Sequence, residues 1–396
     1  MRRIDVAERR ARLALRHRLT ADTRADDPTD VARSLLALHG TDPSSVYVGA
    51  WARMNDGRVA DVERALYEDR SLIRFMGMRR TVFVTSLDVA PVLVAACSRP
   101  VAARERRLLV SMLADSGIAS DASGVPAWLA EAEEVALRAL KERGEATAAE
   151  LASDDPRLST ELVLSRGKSY EGRQKLASRL LLLLAAEGRV VRARPRGSWQ
   201  SHQYRWAHLT DWIPGGLADW DPQEAETEAA RRWLHTFGPA PADDLRWWAG
   251  WTKTQTKRAL TELRPVEVDL DGTPGLLLPD DLAETPAPEP WAALLPSLDS
   301  TPMGWQNRGW FLGDHGPRLF DRNGNIGPSL WWNGRIVGGW AQDADGEIVC
   351  RILEDVGADA RDAVATEAER LASRLGDVRL TARARGRTWL EEELAG

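Results

Sequence analysis

The sequence predicts an α+β fold: three tandem winged helix-turn-helix units followed by a small β-barrel or curled sheet. Three observations carry this. First, Gly144-Glu145-Ala146-Thr147-Ala148-Ala149-Glu150-Leu151 repeats as Gly238-Pro239-Ala240-Pro241-Ala242-Asp243-Asp244-Leu245, with four identities. Second, each copy follows a long amphipathic helix and leads to another helix and then to β-rich sequence, the order helix, short helix, helix, hairpin. Third, beyond a proline-rich acidic linker at 279–290 the texture changes to Trp, Gly, Asn and β-branched residues with closely spaced turn signals.

The elements follow in chain order. Residues 3–18, 28–38, 46–54 and 59–68 read as helices and 72–75 and 80–85 as strands, a looser third copy of the repeat. In 28–38, Val31, Leu35 and Leu38 recur at helical spacing and Gly40 offers a stop. The second unit has helices at 126–143 and 173–187, a short helix begun by Thr147, and strands at 189–192 and 204–206. It carries an insert, 154–172, ending Ser165-Arg166-Gly167-Lys168-Ser169-Tyr170-Glu171-Gly172-Arg173, which either tracks a phosphate backbone or is a plain loop. The third unit has helices at 222–237 and 252–263 and strands at 266–269 and 275–278, with Asp271-Gly272 at the hairpin tip. In the last region Asn323-Gly324 and Asn333-Gly334 imply successive hairpins, followed by a helix at 358–375, a strand at 378–383 and a helix at 388–394. The expected domains are 1–115, 125–215, 220–285 and 291–396.

Composition narrows the function classes. With 43% hydrophobic and 28% charged residues, the 396-residue chain has the make-up of a globular protein, and no apolar run approaches the ~18 residues of a membrane span. The charged start is unlike a secretory signal, so a cytoplasmic location is expected. Cys97 and Cys350 are the only cysteines and lack metal-site spacing, which predicts neither disulfide nor metal, and no cofactor. A net charge of -6 argues against indiscriminate coating of nucleic acid, but arginines cluster at 2–18, 99–107, 189–196 and 383–387, and phosphate affinity follows local patches. The 17 tryptophans supply bulk that scarce Phe and Tyr do not, so core packing is their expected role.

The segment Leu38-His39-Gly40-Thr41-Asp42-Pro43 concentrates capable polar groups. His39, neutral near pH 7, suits proton abstraction from a water, Thr41 suits holding that water, and an ionised Asp42 suits stabilising a developing positive charge. The plainer reading is that His39 and Asp42 cap a helix end and a turn.

These residues resemble a known family, the winged-helix DNA glycosylases of the AlkZ-like type. The resemblance rests on the Leu35 to Arg53 frame, on Arg79-Arg80-Thr81, on Phe237-Gly238-Pro239-Ala240, on Leu294-Leu295-Pro296-Ser297-Leu298-Asp299, and on Arg322-Asn323-Gly324-Asn325 with the stretch from Asn333-Gly334 to Trp340. It implies a C-shaped cleft sized for double-stranded DNA and hydrolysis of the N-glycosidic bond of alkylated purines or of crosslinks; the chain is expected to be a monomer. Where such enzymes usually carry a Gln-x-Gln or Gln-x-Asp pair, this chain has His39 and Thr41, with Asp42 one step beyond. Expected DNA contacts are Arg79 and Arg80, Lys168, Arg173 and Lys175 in the second unit, Lys253, Lys257 and Arg258 on the last helix of the third, and Arg322, Asn323 and Asn325 at a hairpin tip that could enter the minor groove. The alternative function is a non-catalytic winged-helix DNA-binding protein, a lesion sensor or regulator.

Overall fold

A computed structural model describes the chain except residues 117, 119–121, 165, 166, 170 and 382–385. Part of the 154–172 insert, together with Arg383 and Arg385 of the last basic cluster, therefore lies outside the described residues.

The first unit opens with α1 (Val6–Arg16), which starts where the Asp5 carboxylate accepts from the Glu8 backbone N–H at 2.8 Å. Then come α2 (Pro28–Ser34), β1 (Leu38–His39), α3 (Pro43–Trp51), α4 (Val59–Glu63), continued by a wider turn to Glu68, and β2 (Leu72–Met76) and β3 (Val82–Ser86). Here the expected helix over 28–38 is corrected. It stops at Ser34, Leu36 turns left-handed at φ 61°, and Leu38 and His39 enter a strand. Leu35 through Leu38 are all buried, and burial on every side is not the one-faced pattern of a surface helix.

After α5 (Ala90–Leu93) and α6 (Arg99–Ala114), the second unit contains α7 (Val125–Arg143), β4 (Glu145–Ala146), α8 (Ala148–Asp154), β5 (Glu161–Leu164), β6 (Gly172–Lys175), α9 (Leu176–Ala186), β7 (Val190–Pro195), β8 (Tyr204–His208) and α10 (Leu209–Trp212). Thr147 and Glu150 form a reciprocal cap at the start of α8. The insert is a second hairpin, β5 with β6, so Arg173 and Lys175 lie on a strand rather than on the helix expected over 173–187. Leu162, fully buried, anchors it.

The third unit comprises α11 (Pro222–Phe237), α12 (Ala242–Ala249), α13 (Lys253–Leu263), β9 (Val266–Leu270) and β10 (Thr273–Leu277). Asp271 and Gly272 both have positive φ, 51° and 89°, as the tight hairpin requires. One connection recurs in all three units. The peptide between two successive helices pairs antiparallel with the last strand of the unit's hairpin: β1 with β3, β4 with β8, and Ala240 with Leu276 of β10.

The C-terminal region corrects the barrel expectation. Strands β11 (Ala292–Leu295), β12 (Ser329–Trp332), β13 (Arg335–Gln342) and β14 (Ile348–Ile352) form an open antiparallel sheet in that order, and the described residues contain no closed barrel. Two short helices, α14 (Gly309–Leu312) and α15 (Gly316–Leu319), stand where hairpins were expected, and Asn323-Gly324 caps only an isolated Phe320–Ile326 bridge. The Asn333-Gly334 hairpin is present between β12 and β13, with φ 47° and 79°. Helices α16 (Gly357–Leu375) and α17 (Trp389–Ala395) pack on the sheet, which gives its faces cover without closure. No described residue of 378–381 is in a strand; instead the Gln342 side chain accepts from the Leu380 N–H at 2.8 Å and donates to the Val378 carbonyl at 2.9 Å.

The cores cross these units. One apolar cluster runs from Leu13 and Phe83 through Trp233 and Trp305 to Trp331; a second runs from Val31 and Trp51 through Trp199 to Trp340 and Leu375. Eleven of the 17 tryptophans, among them 51, 233, 305, 331 and 340, are buried, as core packing requires, while Trp389 is exposed. No helix among the described residues is long and apolar enough to cross a membrane.

Candidate active site

Residues 38–45 are held from three sides. Along the hairpin, His39 sits opposite Phe83 and the Gly40 N–H donates to the Val82 carbonyl at 2.8 Å. From the C-terminal region, Ser300 Oγ accepts from the His39 N–H at 3.1 Å and donates to the Ala37 carbonyl at 2.7 Å. From within, the Asp42 carboxylate caps α3, accepting from the Ser44 N–H at 3.3 Å and Ser44 Oγ at 2.9 Å, with Ser45 Oγ at 3.0 Å. Ser45 Oγ also lies 2.6 Å from the Ser297 carbonyl.

Behind the segment is a buried ion pair. Arg53 donates from Nη1 and Nη2 to the two oxygens of Asp299 at 2.9 and 2.7 Å, and its remaining donors reach Gly49 O, Thr301 Oγ1 and His17 O. Both side chains are essentially sealed from solvent. Arg53 and Asp299 are thus the two charged ends of motifs that lie 246 residues apart in sequence.

The His39 ring is buried against Phe83, edge to face at 5.1 Å. Its Nδ1 is closed to solvent and has no hydrogen-bond partner among the described residues. Burial, and secondarily the charge of Arg79, lowers its pKa to about 3, so the ring is neutral at physiological pH. An unpaired polar atom this deep costs on the order of 1–3 kcal/mol, which a bound water or substrate group would offset.

Arg79 extends this site. Its guanidinium lies 3.9 Å over the Trp247 ring, and that of Arg308 lies 4.9 Å from the same ring and 4.8 Å from Phe320. Arg79 makes no side-chain hydrogen bond to a described residue, and Arg308 bonds only to the Trp305 carbonyl at 2.7 Å and distantly to Met303 Sδ. Desolvation lowers both pKa values to about 10, and each remains charged at neutral pH. Two cations without a bonded carboxylate, stacked on aromatic rings beside a neutral imidazole, form a ready seat for phosphate. Gly250 makes room for it: at φ 73° it ends α12, and a Cβ there would meet Arg79 Cγ at 3.3 Å. Gly250→Ala is expected to cost about 1–2 kcal/mol, measured as a lower urea midpoint.

The other expected residues are spread more widely. Thr41 is exposed. Asp42 faces a narrow cavity of about 50 Å³ shared with Ser297, Gln342 and Arg387, and no hydrogen bond joins it to His39. Arg80, half-exposed, pairs with Glu105 at 2.8 Å. Lys168 and Lys175 are exposed, while Arg173 is exposed and paired with Glu161. Lys253 and Lys257 project from α13 beside a cavity of about 390 Å³, but Arg258 is tied to Glu226. Arg322 and Asn323 are exposed, and Asn325 is bound back to Asp321 at 2.9 Å. Several arginines of the first cluster are struts: Arg12 is buried between Glu8 and Asp281, and Arg16 also holds Asp281. Sequence reasoning did not single out Arg308, Trp247 or Ser300; the signal for Arg308 was the polar run Gln306-Asn307-Arg308 within Trp-rich sequence. No cluster of three or more His, Cys, Asp or Glu suited to a metal occurs among the described residues.

The chain matches the sequence profile of the family described as DNA glycosylase AlkZ-like over residues 32–374. Among solved structures, Streptomyces sahachiroi DNA glycosylase AlkZ is similar in fold, with a TM-score of 0.71 at 20% identity, covering 96% of this chain and 99% of that one. No curated protein matches the sequence.

Proposed function

Since the chain belongs to the AlkZ-like DNA glycosylase family, a family of DNA repair enzymes, we propose that it hydrolyses the N-glycosidic bond of alkylated purines, including crosslinked ones, in double-stranded DNA. The observation that carries this reading is the neutral, buried His39 ring, its Nδ1 without a partner among the described residues, near two arginines that have no bonded carboxylate.

An alkylated purine already carries positive charge. When its bond to C1′ breaks, the bonding electrons neutralise the base, and a cationic sugar is left. Water oxygen then bonds C1′, and its proton passes to the His39 ring. Thr41, exposed and two residues on, orients the water, while Asp42 fixes the turn and adds negative charge near the sugar. Arg79 and Arg308 take phosphates flanking the lesion, and Lys168, Lys175, Lys253, Lys257 and Arg322 take phosphates farther along the duplex. In this reading the three repeated units are winged helices, with α9 and α13 turned toward DNA and the hairpins as wings, and the cleft between units is C-shaped.

The test is release of base from a duplex carrying one N7-methylguanine, measured in single turnover. Wild type is expected to release it, His39→Ala to be slower by about 10²–10⁴, and His39→Gln, which installs the amide usual in the family, to retain more activity than the Ala variant. A specific observation favours a second reading: the burial that keeps His39 neutral also makes it a weak base. Salt-dependent duplex binding without base release would establish that reading, a lesion-binding protein without hydrolysis.

A further inference from the structure

Four arginines, 189, 192, 194 and 196, lie on or beside β7. Three are anchored: Arg189 by Glu133 and Glu134 at 2.8 and 3.0 Å, Arg194 by Glu63 and Glu68 at 2.7 and 3.2 Å, and Arg196 by Glu150. Arg192 differs from all of them. Its guanidinium has no hydrogen bond or ion pair with any described residue, and its contacts are aromatic, 5.0 Å from the centroid of Tyr204 and 5.2 Å from that of Trp206.

That placement leaves its N–H groups for something else. A planar guanidinium held by rings offers its donors at the edge, a geometry that matches a phosphate or carboxylate in two-pronged fashion. Arg192 lines a cavity of about 530 Å³ between α8, α9 and the β7–β8 hairpin, with Gln174, Ser178, His202 and Tyr204 also on its wall. On the Tyr204 ring lies a second guanidinium, that of Arg74, at 5.2 Å. Arg74 is buried, with Nε and Nη1 lacking partners and only Tyr67 Oη within bonding reach at 3.4 Å. Two cations without a bonded carboxylate therefore share the Tyr204 ring, and one of them, Arg192, lines an open cavity in a chain of net charge -6. Burial lowers the Arg192 pKa only to about 10, which leaves it charged at neutral pH.

We propose that this cavity is a phosphate subsite, in which Arg192 donates two N–H groups to one phosphoryl group and Gln174 and Ser178 add neutral hydrogen bonds. The phosphate comes either from a DNA backbone or from a free nucleotide. The backbone source rests on the glycosylase reading above and places a contact in the second unit.

Two measurements separate the sources. In the first, binding of a lesion-free duplex is followed across salt concentrations for wild type and Arg192→Gln. Loss of one phosphate contact is expected to reduce the slope of log K against log salt by about 0.9. In the second, inorganic phosphate and AMP are titrated calorimetrically into both proteins. A reduced slope supports the backbone source. An unchanged slope with AMP heat seen in wild type and lost in Arg192→Gln supports the free source. An unchanged slope with no heat in wild type, or equal heat in both proteins, overturns the subsite. If Arg192→Gln does not fold, Arg192→Lys replaces it, keeping the charge but not the fork, with phosphate binding expected to weaken about tenfold; unchanged phosphate binding in Arg192→Lys would overturn the two-pronged seat. Neither measurement reads base release, so failure of the glycosylase reading and failure of this one are separate results.

Discussion

Arg53→Met is expected to lower folding stability by about 3–5 kcal/mol, seen as a fall in the urea midpoint at unchanged slope. The reason is what remains. Asp299 would lose its partner in a place with almost no solvent, holding only the Thr301 N–H at 2.9 Å, while the Gly49 and His17 carbonyls would each lose a donor. Asp299→Leu is expected to be as costly, because it strands the guanidinium instead. The double variant Arg53→Met/Asp299→Leu should recover much of the loss, since apolar side chains of similar volume replace a pair that is expensive to desolvate. A single-variant effect below about 1 kcal/mol would mean that the pair behaves like a surface salt bridge and does not brace residues 38–45.

Acidification from pH 6.5 to 5 is expected to destabilise the fold through two histidines. Burial, with a smaller contribution from nearby arginines, lowers the pKa of His17 to about 3, and His39 is held at about 3 as well. In the unfolded chain each binds a proton near pH 6.5, whereas in the folded chain neither does until near pH 3. Their stabilising contribution is therefore complete above pH 6.5 and is lost as pH falls toward 3, at about 1.4 kcal/mol per pH unit for each. His17 has a structural reason to resist protonation: Thr301 Oγ1 lies 2.8 Å from Nδ1 and Thr236 O lies 3.2 Å from Nε2, so the ring donates from Nε2 and accepts at Nδ1. Thermal unfolding of wild type, His17→Gln and His39→Gln between pH 6.5 and 5, above the range of ordinary carboxylates, reads the effect directly. Each variant should show about half the wild-type slope. A slope unaltered by both substitutions would rule out the assignment.

The repeat was readable because its spacing is set by backbone hydrogen bonds. Gly144 to Leu151 and Gly238 to Leu245 occupy the same place before α8 and before α12, and the caps at Thr147 and Thr252 were written in the local sequence. Helix boundaries failed where burial was two-sided, as at Leu35 to Leu38, or where a hairpin preceded a helix without a break, as at Gly172 to Leu176. The C-terminal strands were visible, but closure was not, because whether a sheet curls shut depends on what packs on it, here α16 and α17. The concentration of polar groups at 38–42 was legible from residue types. Its partner Ser300 was not, nor were Arg308 and Trp247, which gather with Arg79; all three come from regions more than 200 residues away from 38–42, and no local pattern marks a residue for a distant contact.

The recurring connection also says where a site can arise. In the second unit Ala146 is followed at once by Thr147, the capping residue of α8, and in the third Ala240 is followed at once by Pro241, at the start of α12. In the first unit two residues, Gly40 and Thr41, intervene between His39 and the cap Asp42. The same joint that elsewhere only fastens a helix to its hairpin is here lengthened by two residues, which frees a stretch of backbone while both of its ends stay tied. Side chains at such a point can be exchanged one by one without disturbing the frame.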